Sequence, residues 1–171
     1  MNDHIDPMGY AIDVAVAELH ALNADGPHFR IIHRFRKPGC ACGPGEQIVA
    51  IQLLHHGREF QLPLSLALLL IFDFLAKHSR IAQSASHIVA GMRADAFCIR
   101  HGANTGSTAS TRRISRACLK EFVRRIRLAL EQAFKEAGLT LGARMVLLSQ
   151  KTVFNQVGYR LKGTFEWVHI D

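Results

Sequence analysis

Over the first 27 residues, apolar side chains recur at Met8, Ile12, Ala15 or Val16, Leu19 and Leu22. Steps of three and four residues put them on one stripe of a helix, which Asn23 to Pro27 ends. The period then changes. His28 to Arg36 alternates around Phe29, Ile31 and Phe35, as a half-buried strand does, and the glycine and proline cluster through Gly45 reads as a loop. Gln47 to His55 is a second β-rich run, which His56-Gly57-Arg58 turns into a short partner strand, Glu59 to Leu62. Together these segments predict a small antiparallel sheet.

Leu64 to His78 is nearly all apolar, the mark of a buried helix. Pro63 suits its first turn, where an amide would have no helical partner anyway. A shorter helix is expected from about Ala82 to Met92, then a loop rich in small and polar residues from Arg93 to Ser110. Ser110 or Thr111 can cap a third helix, which meets no Gly or Pro until Gly138 stops it after Ala137. Beyond it, Arg144 to Ser149 and Val157 to Ile170 predict two strands joined by a polar loop, Gln150 to Gln156. The expected class is α+β. Residues 28–171 form one domain of N-terminal sheet, three-helix core and C-terminal β-hairpin, and residues 1–27 form an extra amphipathic helix.

Counted at about 100° per residue from Arg113, the third helix carries Arg113, Arg116, Lys120, Arg124 and Arg127 within an arc of roughly 80°. Cys118, Phe122, Ile126, Ala129 and Ala133 fall on the opposite side, so one face is expected to be buried and the other basic. Like charges at this spacing repel, and the first acid on the stripe is Glu131. An external anion fits such a face. Phosphate oxygens would supply it, and arginines there can also fork onto guanine O6 and N7.

Charge along the whole chain points the same way. Residues 1–27 hold five acids and no Lys or Arg, a charge of −5, so the rest carries +12 of the total +7. That pattern fits a polyanion binder, with nucleic acid before an acidic membrane. A chain of 171 residues that is 49% hydrophobic fits a single folded domain with an appendage. The longest apolar run, Leu62 to Leu75, is cut by Pro63, Ser65 and Asp73 and falls short of the roughly 20 residues that span a bilayer. Acids rather than bases lead the N-terminus, so no export signal is expected and the cytoplasm is the expected location.

In a reducing compartment the four cysteines are expected to be thiols. Cys40 and Cys42 form a C-x-C within a proline and glycine cluster, with His33 nearby in sequence. Zinc prefers four ligands and C-x2-C spacing, so a turn holding two thiols is the better reading, and no metal site is expected. Cys98 and Cys118 read as small apolar residues. Ten histidines are scattered without H-E-x-x-H, and neither a P-loop nor a nucleophile elbow occurs. Neither catalysis nor a cofactor is expected.

From Gln47 to about Lys162 the chain resembles the C-terminal effector domain of OmpR/PhoB-type response regulators. Arg124-Arg125-Ile126-Arg127-Leu128-Ala129-Leu130-Glu131 is similar to that family's R-R-L-R-x-x-L-E at the end of its recognition helix. Gly158-Tyr159-Arg160-Leu161 resembles its G-Y-R-[LF] on the second wing strand. Arg58-Glu59-Phe60-Gln61-Leu62 resembles its strand leading into the first helix. The resemblance implies a winged helix-turn-helix that regulates transcription, with the helix at about 111–137 in the major groove and the wing at 144–170 on the flanking backbone. Ala117, Cys118, Leu119 and Lys120 stand where the family has R/K-T-V-D, so Arg112, Arg113 and Arg116 are expected to replace its contacts there. About 45 residues precede Gln47, against the roughly 120 of a receiver domain, so phosphorylation control is not expected.

The expected DNA contacts are therefore Arg112, Arg113, Arg116, Lys120, Arg124 and Arg127 on the helix, and Lys151 and Arg160 on the hairpin, with Tyr159 structural. The expected partner is double-stranded DNA, bound by a homodimer; the Met8 to Leu22 stripe is a dimer contact, docks on the chain's own DNA-binding face, recruits a partner, or simply packs against the same core. The Arg93 to Ser110 loop lies where the resemblance places contacts with RNA polymerase. No membrane partner is expected. The alternative is a winged-helix module that binds protein, as an antirepressor or adaptor on a transcription complex; the cationic stripe counts against it.

Overall fold

The computed structural model describes residues 26–35, 45–92 and 116–171. The expected N-terminal helix, the Arg93 to Ser110 loop, Cys40, Cys42, Cys98, Arg112 and Arg113 lie outside the described residues. The fold is mixed α+β. Period-two alternation forms three strands as expected, β1 (His28–Phe35), β2 (Glu46–His55) and β3 (Arg58–Gln61), paired antiparallel in sequence order. His56 (φ 48°) and Gly57 (φ 72°) are both left-handed, the backbone that a two-residue hairpin turn needs to match strand twist.

Helix α1 (Leu66–Lys77) starts later than Pro63 suggests, because extended Ser65 occupies its N-cap. The helix expected from Ala82 is instead a two-residue strand, β4 (Gln83–Ser84), followed by helical residues 85–92, here α2. Ser84 Oγ accepts the His87 amide at 3.2 Å and so caps that helix. Helix α3 (Arg116–Ala137) ends where Gly138 takes φ 76°. The expected strand from Arg144 begins as a helical turn, α4 (Ala143–Val146), since Ala143 and Val146, three apart, are both buried. Strand β5 (Leu147–Lys151) then pairs antiparallel with β6 (Val157–Leu161), and β4 pairs with β6 to give a second sheet of order β4-β6-β5.

The single strand expected from Val157 to Ile170 is two strands in different sheets. Gly163 sits against Pro27, where a Cβ would come within 2.7 Å of the Pro27 carbonyl, and the Thr164 amide donates to that carbonyl at 2.9 Å. The chain therefore leaves the hairpin, and β7 (Thr164–Ile170) runs parallel to β1, from His28 opposite Thr164 to Arg34 opposite Ile170. The first sheet has order β3-β2-β1-β7 and is not wholly antiparallel.

Helix α1 is the centre of the core, contacting β2, β6 and α3. Leu68, Leu69, Ile71, Phe72, Leu75 and Ala76 are all buried. Phe72 meets Phe29 of β1 edge-on at 5.1 Å between centroids, and Phe165 of β7 stacks on Phe29 at 5.9 Å. A carboxylate lies inside this core. Asp73 accepts Lys77 Nζ at 2.8 Å and the Trp167 indole N–H at 2.9 Å, with the His33 ring 3.4 Å away. Burial pushes its carboxyl up, but His33, Lys77 and Trp167 outweigh burial and hold it below the ordinary aspartate value.

Two outcomes follow from this packing. A methyl at position 158 would lie 2.5 Å from the Gln83 carbonyl and 2.8 Å from Thr152 Cγ2, so Gly158→Ala should separate β4 from β6 and cost about 1–3 kcal/mol in denaturant unfolding. Asp73 is depressed in the folded state, so its stabilisation is present above the ordinary value of 3.8 and is lost as pH falls through the lower folded value. Chemical denaturation between pH 6 and 2 should show that decline, and Asp73→Asn should flatten it.

Candidate nucleic-acid interface

The phase of α3 on the core is set by its largest apolar side chains. Leu119, Val123, Ile126, Ala129, Leu130, Ala133 and Phe134 are buried, an arc centred at about 240° when counted as before from Arg113. The stripe read from the sequence is centred near 180°, because it includes Cys118, which is exposed, and omits Leu119, Val123, Leu130 and Phe134. Phe122 lies at the margin, partly buried. The rotation of roughly 60° brings the core to the edge of the cationic stripe.

Arg116 and Arg127 stand on that edge and bond within the protein. Arg116 Nη2 donates to Ser86 Oγ on α2, joining the start of α3 to the preceding helix. Arg127 is half-buried. Its Nε and Nη2 donate to the Leu147 carbonyl at 3.0 and 2.7 Å, and Nη2 also reaches Ser149 Oγ at 2.9 Å, so one guanidinium clamps β5 to α3. Burial first, then the nearby Arg144 charge, pulls its pKa below the usual arginine value, although a guanidinium stays charged throughout the working pH range. Arg160 Nε donates to the Ser79 carbonyl at 2.9 Å and ties β6 to the turn after α1. Both were expected on DNA; in this structure both direct donors at backbone carbonyls and brace the hairpin.

Lys120, Arg124 and Arg125 are exposed. Arg125 is missing from the expected set because it lies off the stripe, yet rotation of the buried arc leaves it on the open face. Glu121 lies between them. Its carboxylate accepts Arg124 Nε and Nη2 at 2.8 and 2.7 Å and Arg125 Nε at 3.0 Å. Those bonds, Arg124's first, hold the Glu121 carboxyl at about 2. The i,i+4 spacing of Glu121 and Arg125 is the sequence signal for this pair. Exposed pairs of this kind are screened and contribute little to stability, so an incoming phosphate can take over the arginines. Among the described residues Lys120 makes no ion pair.

The hairpin carries Lys151, exposed, at the end of β5, while Tyr159 is buried as expected. Thr152 and Gln156 close the tip, with the Thr152 amide donating to the Gln156 carbonyl at 2.8 Å. The tip is not polar throughout: Val153, Phe154 and Val157 are 86%, 78% and 63% exposed. No described helix is long and apolar enough to cross a membrane.

No family model matches the sequence, and no curated protein matches it. Among solved structures, the chain is similar to the DNA-binding domain of the response regulator AdeR, crystallised in complex with an intercistronic region. The identity is 16%, covering 67% of this chain and 86% of that chain, with a TM-score of 0.39.

Removing the Arg127 clamp tests the assignment of that residue. Arg127→Ala leaves the Leu147 carbonyl without its donors and should cost about 1.5–3 kcal/mol in unfolding free energy. Arg127→Lys should recover only part of this, since an ammonium lacks the fork that grips one carbonyl twice. A stability unchanged in both variants would place the clamp elsewhere.

Proposed function

We propose that this chain is a winged-helix DNA-binding regulator of transcription, with α3 entering the major groove and the β5–β6 hairpin resting on the flanking backbone. The observation that carries the reading is the open face of the first half of α3, where Arg116, Lys120, Arg124 and Arg125 are exposed around one acid, Glu121. The element order supports it: helix, short strand, helix, basic helix, hairpin, with the short strand closing the hairpin into a three-stranded sheet. A helix clamped to a hairpin by Arg127 presents two surfaces at a fixed angle, which is what a groove and its neighbouring phosphates require.

In this reading Lys120, Arg124 and Arg125 contact phosphate or base edges, Lys151 contacts backbone, and Arg116 positions the start of the helix. Phosphate oxygens replace Glu121 as the acceptor of the two arginines. The chain binds paired half-sites as a homodimer through its N-terminal apolar stripe. A protein-binding adaptor is the second reading, and the apolar hairpin tip favours it, since Val153 and Phe154 offer anchors of the kind that partner pockets take up.

Duplex DNA titrations at several salt concentrations separate the two. Log affinity should fall linearly with log salt, and Lys120→Ala with Arg124→Ala should lower that slope by about 2 while leaving the melting temperature unchanged. Glu121→Gln should tighten binding, because both arginines lose their internal counter-charge. A wild-type protein with no salt-dependent affinity for duplex DNA would sink the DNA reading and leave the adaptor.

A further inference from the structure

We propose that His33, Glu46 and His169 form a binding site for a divalent transition metal, zinc in the first instance, independent of the DNA-binding face. The three side chains come from β1, β2 and β7, and their ligand atoms all lie within 4.8 Å of one another. His33 and His169 are direct register partners on neighbouring parallel strands, and their rings meet at 6.0 Å between centroids. Glu46 pairs with Phe35 on the other side of β1, two residues along from His33. Its Oε2 lies 3.4 Å from His33 Nδ1 and its Oε1 lies 2.7 Å from His169 Nε2, so the carboxylate already bridges both imidazoles.

The buried ring is the observation that points to a ligand. His33 is 5% exposed, at the third inward position of β1 after Phe29 and Ile31, where the core would otherwise take an apolar side chain. Neither of its ring nitrogens makes a hydrogen bond. The contacts to Glu46 and Asp73, both 3.4 Å, are close enough for electrostatic attraction and fall outside hydrogen-bond geometry. A buried polar group left this way calls for a partner.

Asp73 shows which partner fits. Lys77 Nζ and the Trp167 indole hold this carboxylate 3.4 Å from His33 Nε2, the side on which its charge favours the ring proton. Nδ1 then presents a lone pair toward the Glu46 carboxylate, two acceptors facing each other, and a cation between them resolves the repulsion. Carboxylate, histidine and metal in line is the arrangement in which an outer carboxylate sets the tautomer of a ligating imidazole. Two imidazoles and one carboxylate suit zinc, whose bonds of about 2.0–2.2 Å require the three groups to close by about 1 Å, with water in the fourth position. Binding would fasten β7 to β1 and β2 at the end of the sheet away from Gly163.

The full chain, stripped of metal with a chelator, is titrated with Co²⁺ and with Zn²⁺. The wild type should bind one equivalent of cobalt with visible d–d absorption and without a thiolate charge-transfer band, and zinc should raise its melting temperature by several degrees. His169 is about half exposed, so His169→Ala folds and should lose affinity by more than about 100-fold, with no zinc-dependent melting shift. Glu46→Gln should lower affinity as well, and His87→Ala, on the surface of α2, should match the wild type. Full cobalt binding in folded His169→Ala, a thiolate band that persists in that variant, or no metal-dependent melting shift in the wild type would overturn the proposal.

Discussion

An ionised carboxylate inside an apolar core must be surrounded by donors, and Asp73 organises the domain by that requirement. Its partners come from three elements: Lys77 one turn along α1, Trp167 on β7 and His33 on β1. Removing any of them leaves charge or a donor unmatched where water is scarce, so the helix, the first strand and the last strand are held in one register. The stacked rings of Phe29 and Phe165, with Phe72 edge-on, fill the space beside this network and make the same three-way connection through dispersion. Outside the sheet Arg30 joins Glu166 of β7 to Glu59 of β3, spanning all four strands.

The hairpin is governed by a second charged group used structurally. Arg127 spends its fork on the Leu147 carbonyl and Ser149, and Arg160 spends its Nε on the Ser79 carbonyl. Both arginines belong to the segments that resemble a known DNA-binding family, and in this chain both brace the hairpin against the helices. The open cations are consequently concentrated toward the start of α3. Toward its end Glu131 and Glu136 offset Lys135, so the helix presents a charged gradient rather than a uniform stripe.

Local pattern determined a good part of this. Alternating residues marked β1, β2 and β3 to within a residue or so, because a half-buried strand writes its two faces directly into the sequence. Gly138 marked the end of α3, because few other residues adopt its left-handed backbone without strain. The basic balance of the chain and the cationic character of α3 are compositional and needed no coordinates. Tertiary structure decided what depends on distant partners. Val157 to Ile170 reads as one strand, and only the approach of Gly163 to Pro27 and the pairing with β1 divide it. The buried arc of α3 is chosen by the sheet and α1, which select Leu119, Val123, Leu130 and Phe134 over Cys118. His33, Asp73 and His169 carry no motif, since they converge from strands and a helix separated by long stretches of chain. Periodicity reports which face of an element is apolar; it does not report what that face meets.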